Sequence, residues 1–285
     1  MKNQKFSVVM SHGSRTEACI AACNQVAKEK GVILNHPDFI GTASNKVKTK
    51  ELIRKLGYQT TNWQLAMEDF RLKFPVVAKL KSGSGGEGMV LIGDQRALDV
   101  FRSENTERLN RYFYEEMFNP RSNLKNHFNT TREFRFHVSP WLMGTAVTYT
   151  DITDEGENVG THTINNGVIF AVKKVLREEL SEKMTTFGKN ISTGNAYFTR
   201  NLGDILNNEN SVLYNTVLDE VIGLVNSLQL DYAAVDVLIC PSRKEWCILE
   251  VNTAPGFGDG GGVTAGRYSK ALEHIILAKH EASLI

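Results

Sequence analysis

The sequence predicts an α+β protein made of two subdomains of mixed helix and sheet, preceded by a small α/β unit. Three observations carry that reading. A short apolar strand, a helix and a second strand open the chain, a glycine-rich loop lies between two strands, and two late β-rich runs carry carboxylates in apolar surroundings. The expected divisions are residues 1–42, 43–113 and 114–285.

Phe6-Ser7-Val8-Val9-Met10 reads as a short buried strand, residues 16–30 as a helix ended by Gly31, and Val32-Ile33-Leu34 as a second strand, which together make a small βαβ unit. Ser44-Asn45 offers an N-cap for a helix over residues 46–56, stopped by Gly57, and Tyr58 to Trp63 is expected to be extended. Residues 74–80 read as a strand, Ser82 to Gly88 as a glycine-rich loop, and Met89-Val90-Leu91-Ile92 as the returning strand of a hairpin. A helix starts near Asp94. Residues 111–118 look like a strand with an acidic middle, and residues 132–138, 145–149 and 168–175 alternate as an antiparallel sheet does. Residues 213–228 are helical, residues 233–239 and 246–251 are β-rich, and residues 267–278 form a closing helix. No internal repeat or low-complexity run appears, so the linkers are expected to be short.

With 41% hydrophobic and 23% charged residues in 285, the composition is that of a globular protein. The 33 basic residues nearly balance 32 acidic ones, and a net charge of +1 gives no field that would make nucleic acid or an anionic membrane the main partner. Met1 to Met10 lacks the apolar core of a signal peptide, and no run approaches the roughly 20 apolar residues of a membrane span, so a cytoplasmic location is expected. The four cysteines are too few for a disulfide framework. Cys19 and Cys23 lie four apart on a helix, with no His or Cys pair to complete a metal site, and read as buried small residues.

Gly83-Ser84-Gly85-Gly86-Glu87-Gly88 matches G-x-G-x-x-G, but a strand follows it where a dinucleotide fold needs a helix. No Lys-Ser or Lys-Thr follows the last glycine, which removes the Walker A reading, and no H-R-D or D-F-G occurs, which disfavours a protein kinase. There remains a hairpin tip laid over phosphates, whose backbone N–H groups approach anionic oxygens while Ser82 or Ser84 adds a hydroxyl. Lys79, at the end of the strand that enters the loop, offers a point charge to the same phosphates. A plain flexible hairpin with a solvated lysine is the alternative.

Glu250 and Asn252 lie two apart in a strand and share a face, and Asp236 sits within the preceding β-rich run. If the two strands are neighbours, three oxygen ligands converge in a site suited to magnesium. An ion pair with Lys or Arg is the alternative explanation for carboxylates in such apolar surroundings.

Taken in order, these residues resemble the ATP-grasp superfamily, which includes D-alanine–D-alanine ligase, glutathione synthetase and the ribosomal-protein glutamate ligases. Residues 44–60 are similar to its D-K-x-x-x-K helix ending in G-I-P-T, with Asn45 for the usual Asp, and residues 74–88 to its P-V-V-V-K-P strand and glycine loop. The resemblance implies two α+β subdomains clasping ATP, with Lys46 and Lys79 as nucleotide-binding lysines and Ser82, Ser84, Gly85 and Gly86 in the phosphate loop. Tyr114-Glu115-Glu116-Met117-Phe118 looks like the adenine hinge, in which Glu115 and the backbone around Glu116 and Phe118 hold the base, and Glu133 takes the ribose hydroxyls. Asp236, Glu250 and Asn252 correspond to the magnesium ligands, and residues 249–256 come close to the family's most specific signature.

One departure bears on chemistry. Some carboxylate ligases carry an arginine two residues before the metal-binding aspartate, and this chain has Ala234 there. Arg135 and Arg200 are the candidates to steady an acyl phosphate in its stead. The resemblance implies a carboxylate-amine ligase acting on small-molecule or peptide substrates with ATP and magnesium. A phosphotransferase acting on a hydroxyl acceptor and an ATP-binding module without turnover are the rivals, and a homo-oligomer stays open.

Overall fold

The computed structural model describes residues 6–83, 86–118, 132–152, 158–176, 196–200, 211–255 and 262–284. The chain opens with β1 (Val8–Met10), α1 (Glu17–Lys28) and β2 (Val32–Leu34), the two strands pairing in parallel as the βαβ reading expects. Thr16 caps α1 by accepting from the Cys19 amide at 3.3 Å. A short α2 (Pro37–Ala43) follows, which the sequence reading did not include; it starts on Pro37, whose fixed φ suits a first helical turn.

α3 (Lys46–Lys55) begins where Asn45 suggested, its side-chain oxygen accepting from the amides of Val47 and Lys48, and it stops before Gly57 at φ +76°. The extended run expected over residues 58–63 becomes a strand only at its end, as β3 (Trp63–Leu65). Before it, the chain is tied across to the large sheet. The Ile248 amide donates to the Gln59 carbonyl and the Thr60 hydroxyl to the Ile248 carbonyl, both at 2.9 Å.

β4 (Val76–Leu80) and β5 (Val90–Ile92) form the expected hairpin, followed by α4 (Gln95–Glu104) and β6 (Tyr112–Glu116). These strands make a four-stranded sheet in the order β3-β6-β4-β5. One face, with Val76, Ala78, Tyr112 and Tyr114, packs on Leu98 and Phe101 of α4.

The larger sheet has seven strands: β7 (Arg132–Val138), β8 (Ala146–Ile152), β9 (Asn158–Asn165), β10 (Val168–Leu176), β11 (Ala196–Arg200), β12 (Ala233–Cys240) and β13 (Glu245–Asn252). Their order is β13-β12-β7-β10-β9-β8, with β11 also on β10. β9, polar and glycine-containing, had no apolar alternation to mark it; it turns into β10 through Asn166-Gly167, both at positive φ, a two-residue hairpin connection.

β7 shows how the sheet acquires two unlike faces. Phe134, Phe136 and Val138 pack with Val235, Val237 and Ile239 of β12 against α5 (Ser211–Ser227), while Glu133, Arg135 and His137 point the other way. A last helix, α6 (Gly262–Ala282), is longer than the expected 267–278 and sets Tyr268, Ala271 and Ile275 in a core shared with Val32 and Leu34 of β2. A buried polar knot reinforces that contact. The Asn35 side chain accepts from the amide of Asp231 and donates to the carbonyl of Tyr232, and Asp231 in turn takes the Lys279 ammonium at 2.5 Å and the Trp141 indole N–H at 2.8 Å.

Phe136 is fully buried between the sheet and α5, so Phe136→Ala is expected to lower stability by roughly 3–5 kcal/mol. The urea midpoint measures it, and a loss under about 1 kcal/mol would contradict this packing.

Candidate active site

The charged face of the large sheet is built from rows that run across its strands. Asp236 pairs in register with Arg135 of β7 on one side and with Glu250 of β13 on the other, and Ala234 stands between His137 and Asn252 in the next row. β12 and β13 are therefore neighbours, and Asp236, Glu250 and Asn252 lie on one face of these adjoining strands.

Their surroundings differ. Asp236 is buried, with the Arg135 guanidinium bidentate on it at 2.7 and 2.9 Å and the Lys174 ammonium at 2.9 Å, and Lys174 also holds Glu133 at 2.6 Å. Burial alone would raise the Asp236 pKa, but Lys174 and Arg135 outweigh it and hold the carboxyl far below its usual range. The ion pair that the sequence left open is thus present at Asp236. Glu250 is more open, its side chain 38% exposed, with the Lys46 ammonium at 3.3 Å. The Asn252 side-chain oxygen accepts from the Ala254 amide at 3.0 Å.

This donor set is one of hard oxygens, which fits a magnesium ion in kind. Among the described residues no group of three or more His, Cys, Asp or Glu side chains is arranged to hold a metal by itself. A cation at Glu250 and Asn252 would draw much of its shell from phosphate and water, as magnesium commonly does. Asp236 would have to release one of its cations to join.

The four-stranded sheet contributes a second charged group. Glu115 on β6 is 2% exposed, and its carboxylate takes Lys50 of α3 at 2.6 Å, Lys79 of β4 at 2.5 Å and the Thr61 hydroxyl. Burial works to raise its pKa, but the two ammonium groups outweigh it and bring the carboxyl down to about 2. Glu116 spends its carboxylate on the Lys73 amide and the Asn62 side chain, and Phe118 is half-buried just past the strand. Lys46, the first residue of α3, spans the two sheets: its ammonium donates to the Gly83 carbonyl at 2.9 Å and faces Glu250. Ser82 is exposed, and Gly86, at φ +76°, adopts a conformation that a side chain disfavours. Ser84 and Gly85 lie outside the described residues.

Arg200 stands opposite Val172, and Val172 opposite Arg135, so by register Arg200 belongs to the row of Asp236 and Glu250. Its side chain lies outside what the structure describes. His137 is stacked on Phe170 at 3.9 Å with the Tyr268 hydroxyl at 2.5 Å from its Nδ1; burial and then Arg135 push its pKa down to about 3, so it is neutral.

Sequence reasoning missed Lys174 and counted Lys50 only as the second lysine of the D-K-x-x-x-K match, with no role of its own. Lys50 follows Lys46 by one helical turn, the spacing that puts both on one face, and Lys174 is a charge inside the apolar run Val168-Ile169-Phe170-Ala171-Val172 and onward.

No family model matches the sequence, and no curated protein matches it. Solved structures do. VanG D-Ala:D-Ser ligase of Enterococcus faecalis superposes with a TM-score of 0.61 at 13% identity, over 95% of this chain and 72% of that one. D-alanine–D-alanine ligase of Bacillus anthracis, complexed with ATP, gives 0.59 at 15%, over 98% and 80%. The ATP-grasp ligase PsnB, complexed with minimal precursor, gives 0.52 at 12%, over 89% and 69%. This is the ATP-grasp fold. Within the ATP-grasp fold of this chain, the glycine hairpin belongs to the small sheet and the carboxylate strands to the large one, and α3 with the segment 59–61 joins them.

Because the Glu115 pKa is depressed, its contribution to stability is fully present above its ordinary value of 4.5 and is lost as pH falls toward about 2. That loss is on the order of 3 kcal/mol. Glu115→Gln is expected to flatten the fall of the urea midpoint across this window, and an unchanged slope would show that the carboxylate titrates elsewhere.

Proposed function

We propose that this chain is an ATP-dependent ligase that joins a carboxylate to an amine through an acyl phosphate, releasing ADP and phosphate. The observation that carries the reading is the Lys46 ammonium, which bridges the backbone of the glycine hairpin at Gly83 and the carboxylate of Glu250. The glycine hairpin and the Glu250 carboxylate lie within one side chain's reach, which supports a reading in which phosphates and a cation share that space. The structural likeness to an ATP-complexed ligase supports the same reading.

In this proposal Lys46, Lys79 and the hairpin amides around Gly86 carry the charge of the phosphates. Ser82, with Ser84 and Gly85, completes that loop. The backbone around Glu116 and Phe118 holds the base; the Glu115 carboxylate, also expected there, is taken up by Lys50, Lys79 and the Thr61 hydroxyl and is left out of the base site. Glu133 takes the ribose once nucleotide draws it from Lys174. Glu250 and Asn252, with Asp236, would hold magnesium, which supplies charge neutralisation between phosphate oxygens. A substrate carboxylate oxygen attacks the γ-phosphorus as the bond to ADP breaks. An amine nitrogen then attacks the acyl carbon, the C–O bond to phosphate breaks, and the amine proton leaves to solvent. Arg135, and Arg200 in the same row, would steady the acyl phosphate.

One observation favours a second reading, transfer of phosphate to a hydroxyl. Position 234 is alanine, and Arg135, the nearest arginine by register, is spent on Asp236. Incubation with Mg-ATP and pools of amino acids, peptides and hydroxyl acceptors, read by mass, separates the two. An amide product with ADP supports ligation, and a gain of one phosphoryl group in a stable product refutes it. Glu250→Gln and Lys79→Ala are each expected to lower turnover by at least about 100-fold with the fold intact by circular dichroism, and full activity in either would remove that residue from the site.

A further inference from the structure

Glu115, Lys50 and Lys79 form a unit whose charges do not cancel. One buried carboxylate faces two ammonium groups, which leaves a surplus of one positive charge. The two lysines are not equivalent. Lys50 has a side chain 1% exposed and spends its donors on Glu115 and on the hydroxyls of Thr60 and Thr61, each at 3.0 Å, so it reaches nothing beyond this pocket. Lys79 is 17% exposed and lies within the electrostatic reach of Glu250 and Glu133 on the opposite sheet. The surplus charge is therefore presented at Lys79, on the side where the phosphates of the proposed nucleotide would lie.

We propose that Lys50 is a positioning residue for nucleotide binding: it keeps Glu115 compensated, so that Lys79 is free to give its charge to a phosphate. Were Lys79 the only counter-ion of Glu115, drawing it toward a phosphate would strand a buried carboxylate, an outcome far costlier than leaving the pair intact. With Lys50 in place, Glu115 retains an ammonium and the Thr61 hydroxyl whatever Lys79 does. The inference rests on the ATP-dependent reading above and adds to it a residue that touches no substrate.

The test compares ATP, which has phosphates, with adenosine, which has none, by titration calorimetry on the full chain. In Lys50→Met, ATP affinity is expected to fall roughly 30-fold or more while adenosine affinity stays within about twofold. A merely structural lesion would weaken both alike. In Lys50→Met combined with Glu115→Gln, Lys79 is again the unopposed cation, and ATP affinity is expected to return to within about threefold of the wild type. Lys50→Gln, which offers an amide donor without the charge, carries the same comparison if the methionine variant does not fold. The inference is overturned if the single variants bind ATP as the wild type does, if ATP and adenosine weaken equally, or if the double variant is no better than the single. A wild-type chain that binds ATP beside an unaffected Lys50 variant removes only this inference, whereas a wild type that binds no ATP removes the proposed function with it.

Discussion

Asp236 lies inside the large sheet with a guanidinium on one side and an ammonium on another, and the arrangement of β7, β10 and β12 depends on keeping these groups together. Arg135 comes from β7 and Lys174 from β10, so both strands must sit on the same side of β12 in one register. A slip of one residue in β7 would carry Arg135 into the core beneath α5 and turn Phe134 toward the carboxylates. Apolar packing on one face and charge pairing on the other therefore select the same alignment, and neither is satisfied without the other.

The second buried carboxylate, Glu115, does for the small sheet what Asp236 does for the large one. Its partners come from β4 and α3, so the ion pairs fix the helix on the sheet as well as the charge within it. From there the link continues outward: the segment 59–61 is hydrogen-bonded to β13, and Lys46 reaches Glu250. The relative position of the hairpin and the carboxylate strand is thus held by these polar contacts together with the apolar packing of Ile53 of α3 in one core with Ile248 and Val251 of β13.

How much of this could be read in advance varied with the kind of signal. Elements marked by local rules came through: the Asn45 cap, the stop at Gly57, the hairpin around the glycine-rich loop, the alternation of β7 and the β-rich runs that become β12 and β13. β9 did not, because its sequence carries no apolar alternation, although the Asn166-Gly167 turn beside it was a usable sign. The partners of Lys50 and Lys174 were not legible for a different reason. Sequence spacing tells which residues share a face, but the carboxylate that needs each lysine lies on another strand 65 and 62 residues away by position, and only the folded chain pairs them. The same holds for Glu115, legible as an acidic residue in a strand and not as the buried centre of a cation pair.

The knot of Asn35, Asp231 and Lys279 has a consequence for how the molecule is made. The hydrogen bonds that tie Ile33 and Asn35 into it span separations of 196 to 246 residues, and Lys279 belongs to α6. A ribosome releases β2 well before β12 and α6, so the first unit has no docking partners until those elements follow. Two parallel strands and one helix are too small to be stable alone. The βαβ unit is therefore secured only by elements that follow it at long range in the sequence.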